Sequence, residues 1–198
     1  MSVRTAFVAA ISALIAAGAA SASAPERTNI HFAGAPAGPK SAFATITRSR
    51  LHVPQIVLAA RARRVAMFRW NGERPLLVAP TTAGGFCRSL AGPYGGTACF
   101  PNTARASQRL NSGLTGDASG PILLNGTFFD PRATRLEVHY QDGLLSLIPI
   151  IWVDAPIRAG FFFFKIPSAQ RHPGHRPLTL SLYSAKGTRL THTTLSQR

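Results

Sequence analysis

The sequence predicts a mainly β protein. We expect an antiparallel Ig-like sandwich beside a smaller, disulfide-stapled β unit, preceded by an N-terminal signal helix. Three observations predict it. About six short runs of β-prone residues are separated by turn residues at regular spacing. No long stretch carries the 3.6-residue period of an amphipathic helix. The two cysteines, Cys87 and Cys99, stand on opposite arms of a hairpin-like segment, GGFCRSLAGPYGGTACF.

Residues 1–24, MSVRTAFVAAISALIAAGAASASA, read as a secretory signal. Arg4 supplies a positive start, Ala6 to Ala20 is apolar apart from Ser12 and Gly18, and small residues follow. The run is short of the ~20 apolar residues a bilayer span needs. Cleavage after Ala22 or after Ala24 fits the A-x-A rule, and Pro25 disfavours the second; a retained anchor is the alternative. Residues 25–42 hold three prolines and two glycines without periodicity and read as a flexible or extended arm.

The disulfide-containing unit is expected over 43–118. FATITRSRLHV (43–53) suits a strand, and Pro54 with Ile56, Ala59, Ala60 and Arg63 suggests a short helix over 54–64. VAMFRW and RPLLVAP flank Asn71-Gly72, a strong hairpin signal, with Glu73 and Arg74 lengthening the loop. The cysteine hairpin follows. Residues 101–120, PNTARASQRLNSGLTGDASG, return to loop chemistry and mark the expected boundary.

The Ig-like sandwich is expected over 119–198. PILLNGTFF reads as a strand. In TRLEVHYQDG, Leu136, Val138 and Tyr140 alternate with Arg135, Glu137, His139 and Gln141, the pattern of a half-buried strand ending in an Asp-Gly turn. LLSLIPIIWV continues in β, with Pro149 marking a bulge or an edge. Phe161 to Phe164 break the alternation, as a strand buried on both faces would. PLTLSLYSAKGTRLTHTTL forms a last hairpin around Lys186-Gly187, with Leu178, Leu180 and Leu182 facing the core.

Chemistry-bearing patterns are sparse. Zinc usually takes four ligands in close pairs, and nothing near Cys87 and Cys99 supplies a second pair. Their spacing is not that of a Cys-x-x-Cys redox motif, and an exported chain meets an oxidising compartment. A structural disulfide follows. His172-Pro173-Gly174-His175 cannot be helical, so its histidines are not aligned for a metal. No G-x-S-x-G elbow occurs. Asp117, Asp130, Asp142 and Asp154 sit beside turn residues, where a carboxylate caps backbone N–H groups. Accordingly we expect no catalytic residue, no metal ligand and no cofactor.

Charge carries the functional reading. The 198 residues include 22 Lys or Arg against 7 Asp or Glu, a formal net charge of +15. Such a balance favours anionic partners. Arg61, Arg63, Arg64, Arg171 and Arg176 are the expected contact surface.

Two stretches, LLVAPTTAGGFCRSLAGPYGGTACF (76–100) and GTFFDPRATRLEVHYQDG through PIIWVDAPIRAGFFFFKIPSAQRHPGHRPLTLSLYSAKGTRL (126–190), carry a resemblance. Together they resemble uncharacterised secreted or membrane-tethered proteins of GC-rich bacteria, with a two-cysteine β unit followed by a sandwich module. The run LEVHYQDG (136–143) departs from that group's V-x-V-x-Y-x-D-G only at Leu136. The resemblance implies architecture and no activity.

The expected function is therefore a non-enzymatic exported module, secreted or associated with the cell envelope. It would hold an anionic cell-wall polymer or an acidic protein, with no specific nucleic acid and no membrane span after signal cleavage. The alternative is a secreted hydrolase at the junction of the two β units, using His139 or His175 with Asp154.

Overall fold

The structure is a computed structural model, and it describes residues 27–38, 43, 57–69, 73–90, 95–104, 109–117 and 120–195. The expected signal helix and nearly all of the strand expected over 43–53 lie outside the described residues. Phe43, the exception, is buried.

Among the described residues, thirteen strands form three sheets. In chain order they are β1 (Thr28–Ile30), β2 (Arg63–Arg69), β3 (Glu73–Pro80), β4 (Phe86–Leu90), β5 (Gly96–Phe100), β6 (Leu110–Asp117) and β7 (Gly120–Phe128). There follow β8 (Ala133–Tyr140), β9 (Leu145–Ile148), β10 (Ile151–Val153), β11 (Ala159–Lys165), β12 (Pro177–Ser184) and β13 (Arg189–Thr194). The middle sheet has the order β1-β10-β11-β7-β6, the outer sheet β13-β12-β8-β9 and the disulfide sheet β2-β3-β4-β5. Every pairing is antiparallel except that of β1 with β10.

Strands β6 to β13 carry the Ig-like order. Lettered A, B, C, C′, D, E, F and G, they place A-B-E-D in the middle sheet and G-F-C-C′ in the outer one. Pro149 explains the change of sheet. It interrupts the run read as one strand, so β9 pairs with β8 while β10 pairs with β11.

The middle sheet is covered on both faces, which gives three layers. One face packs Phe161, Val153 and Ala159 against Val65, Leu76, Val78, Phe86 and Phe100 of the disulfide sheet. The other packs Phe162, Phe128 and Leu124 against Leu136, Val138, Ile148, Leu180 and Leu182 of the outer sheet. Phe161 and Phe163 join the first core, Phe162 and Phe164 the second. The four-phenylalanine run is thus buried from both sides, as expected. Close approach needs glycine at Gly160 and Gly126, where a Cβ would run into the rings of Phe128 and Phe162 respectively.

Cys87 and Cys99 are direct ladder partners on β4 and β5 and form the disulfide, with Cα atoms 4.0 Å apart. The bridge faces away from the middle sheet, in a third cluster with Phe43, Val57, Ala62, Leu77 and Ala79.

Several expectations need correction. Within the helix expected over 54–64, the described residues form a 3-10 turn at Ala59–Arg61 and then enter β2, whose ladder with β3 outweighs local helical spacing. Residues 110–117, read as loop, form β6; Leu110 and Leu114 reach the core, and the polar and glycine residues between them hide the pattern. Strands from either side of the division expected at 118/119 therefore share the middle sheet. Leu178 is exposed rather than core-facing, because the β12–β8 register shifts between Pro177 and Thr179.

Candidate anion-binding surface

Strand register gathers cations at one end of the sandwich. Phe128 pairs with both Leu110 and Gly160, Ala133 with Ser184, and Val153 with Ala159. The connections leaving those positions share one end. They carry Arg109 before β6, Arg132 between β7 and β8, Arg158 between β10 and β11, and Lys186 between β12 and β13. All four are exposed. Arg158 holds a positive φ of 48°, which turns the chain tightly into β11.

Within this end, Arg109, Phe129, Asp130, Pro131 and Arg132 line an open depression of about 330 Å³. Arg132 binds Asp130 through two bonds, Nε to Oδ1 at 3.0 Å and Nη2 to Oδ2 at 2.7 Å. That pairing, helped by the charge of Arg109, holds the Asp130 carboxyl below its ordinary range. Arg27 reaches in from the arm, donating to the carbonyl of Ala133 at 2.9 Å and standing over Trp152. Three guanidinium groups therefore converge on one turn that holds a single carboxylate.

The arm is fastened at the same end. Asp154 accepts the Phe32 N–H at 2.7 Å, and His31 Nδ1 lies 2.5 Å from its other oxygen. The Phe32 bond is the main cause, with His31 second, of a depressed Asp154 pKa. Farther along the arm, Arg64 N–H donates to Ala35 (2.8 Å), Ala37 N–H to Ala62 (3.2 Å), and Pro36 bridges Arg63. This covers the outer side of edge strand β2.

The five arginines expected to form a surface divide into two groups. Arg61 lies exposed in the 3-10 turn, and Arg63 and Arg64 begin β2 beside the arm. Arg63 turns its guanidinium onto the Ala62 carbonyl at 3.0 Å. Arg171 and Arg176 belong to the loop between β11 and β12, at the opposite end of the sandwich. There Arg171 Nε donates to Ile166 (2.9 Å), and the Arg176 carbonyl accepts Gln141 N–H (2.8 Å). The structure does not bring these two groups together. Sequence reasoning missed Arg27, Arg109, Arg132 and Arg158, because only the strand register makes them neighbours.

Histidines and carboxylates meet in pairs other than those expected. Asp154 pairs with His31, not with His139 or His175. His139 Nε2 lies 3.4 Å from Glu137. His175 is buried, with Nδ1 2.5 Å from Asp142 and its ring stacked on Tyr140 at 4.0 Å. Its Nε2 is enclosed without a hydrogen-bond partner. The hydrogen bond from His175 is the main reason that the Asp142 pKa is lowered. Among the described residues, no cluster of His, Cys, Asp and Glu is placed to hold a metal ion, and no helix is long and apolar enough to cross a membrane.

No family model matches this chain, and no curated protein matches it.

Proposed function

We propose that this chain is a non-enzymatic exported β module of the cell envelope or extracellular space, holding an anionic polymer or an acidic partner protein on a basic surface. One observation carries the reading. The four carboxylates whose side chains are described are all engaged within the fold: Asp130 by Arg132, Glu137 by Arg135 and His139, Asp142 by His175, and Asp154 by His31 and Phe32 N–H. With a net charge of +15, the outward field is then set by arginine. The end bearing Arg109, Arg132, Arg158 and Lys186 is the favoured contact, with Arg61 and Arg64 beside it along the arm. A long flexible polyanion suits this arrangement better than a small ligand, because the cations are spread over four separate connections.

The test is a salt titration of binding to inorganic polyphosphate. Affinity should fall roughly tenfold or more between about 0.05 and 0.3 M salt. Binding that ignores salt, or none at low salt, would contradict the proposal.

The hydrolase reading calls for His139 or His175 beside Asp154, but Asp154 is held by His31 and His175 lies against Asp142. It is weakened by the enclosure of His175 Nε2, since a general base must reach its proton. The depressions lined by Arg109 and by Asn111 contain no histidine.

A further inference from the structure

Arg88 on β4 is 7% exposed and lies between the disulfide sheet and the middle sheet. Its Nη2 donates to Asn125 Oδ1 at 2.9 Å, and its guanidinium stands 5.3 Å from the Phe163 ring. Its Nε is buried with no hydrogen-bond partner. The four carboxylates whose side chains are described are all committed elsewhere. Burial lowers the Arg88 pKa to about 10, which still leaves it protonated at neutral pH. A cation taken out of water with, among the described residues, an amide and a ring for company is a costly feature for a fold to keep.

The neighbourhood is polar along one line. Thr127 lies two residues from Asn125 on β7 and so faces the same way. It is fully buried, and its hydroxyl has no partner. Asn111 is the ladder partner of Thr127. Asn111 also lines a cavity of about 320 Å³ that borders β5 and β6, with Ala98, Phe100 and Thr103 in its wall. Ala98 is in turn the ladder partner of Arg88. Of these four residues Asn111 stands in the cavity wall, while Thr127, Asn125 and Arg88 lie behind it, in the seam between two otherwise apolar sheet faces.

We infer that this seam is a binding site for a small oxyanion group, a carboxylate or a phosphate, which enters through the cavity beside β5 and β6 and pairs with Arg88. A guanidinium offers a planar fork that matches either group. Thr127 and the two asparagine amides supply neutral donors that fix its orientation. The site is separate from the basic end and does not depend on polymer binding there.

The experiment is thermal unfolding of the full chain in acetate, in inorganic phosphate and in chloride at equal ionic strength. The variants are Arg88→Met, Arg88→Lys and Asn111→Leu. At about 100 times its Kd, a bound oxyanion should raise Tm by on the order of 5 °C over chloride. Arg88→Met and Asn111→Leu should abolish the rise, and Arg88→Lys should reduce it. In chloride, Arg88→Met should be as stable as the parent or more so, because it removes the unpaired charge. A rise in acetate alone assigns a carboxylate ligand; a rise in phosphate alone assigns a phosphate group. No rise in either, or a rise that persists in both Arg88→Met and Asn111→Leu, overturns the inference. Arg109→Gln removes a cation of the basic end; a rise that is lost in Arg109→Gln but kept in Arg88→Met belongs to that end and overturns the inference.

Discussion

Phe161 and Phe162 are neighbours in the chain and are both fully buried, but in different hydrophobic cores. Phe161 meets the Phe86 ring edge-on at 5.7 Å under the disulfide sheet, while Phe162 packs with Leu136, Leu180 and Leu182 under the outer sheet. Strand geometry alone produces this, since successive side chains leave opposite faces. The middle sheet is therefore the element on which both other layers depend.

Phe161→Ala and Phe162→Ala should each destabilise the protein by about 3–5 kcal/mol, because each leaves a cavity in a separate packed core. Urea unfolding measures this. A loss below about 1 kcal/mol for either variant would mean that one of the outer layers is not packed as described.

The Cys87–Cys99 bridge joins residues already paired across a hairpin. Its contribution comes from restricting the unfolded chain. The double variant Cys87→Ala, Cys99→Ala should lose about 3 kcal/mol, a fall in Tm on the order of 5–10 °C, with the fold retained. An unchanged Tm, or thiols that label in the native parent protein, would refute the bridge.

Acid sensitivity should be traceable to single carboxylates. Asp142, held by His175, has a folded pKa below its unfolded value. Its contribution is fully present above the unfolded carboxylate value of ~3.9 and is lost as pH falls through the lower, folded value. Asp142→Asn should therefore flatten the stability profile below about pH 4, with little change in its shape near neutrality. Scanning calorimetry across that range checks it; an unaltered acid limb contradicts the pairing.

Much of the fold was legible because period-two alternation at Leu136, Val138 and Tyr140, the turn at Asp142-Gly143 and the break at Pro149 are local signals. The four-phenylalanine run was legible because double-sided burial removes alternation. β6 was not: Asn111, Ser112, Gly113, Thr115 and Gly116 resemble a loop, and only pairing with β7 makes them a strand. Leu178 was misplaced by a register shift that no sequence pattern announces. The candidate surface was the least legible part. Arg61, Arg63 and Arg64 stand out as a run, but Arg109, Arg132 and Arg158 are far apart in the chain and meet only through sheet register. Arg88 looks like any other strand arginine until two sheets close over it.

Charge removal at the two ends of the sandwich shows which of them holds the polyanion. Polyphosphate affinity at low salt would be compared between Arg109→Gln, Arg158→Gln at one end and Arg171→Gln, Arg176→Gln at the other. A loss of about tenfold or more is expected for the first pair and a much smaller one for the second. Equal losses, or a greater loss for the second pair, would contradict the proposed surface.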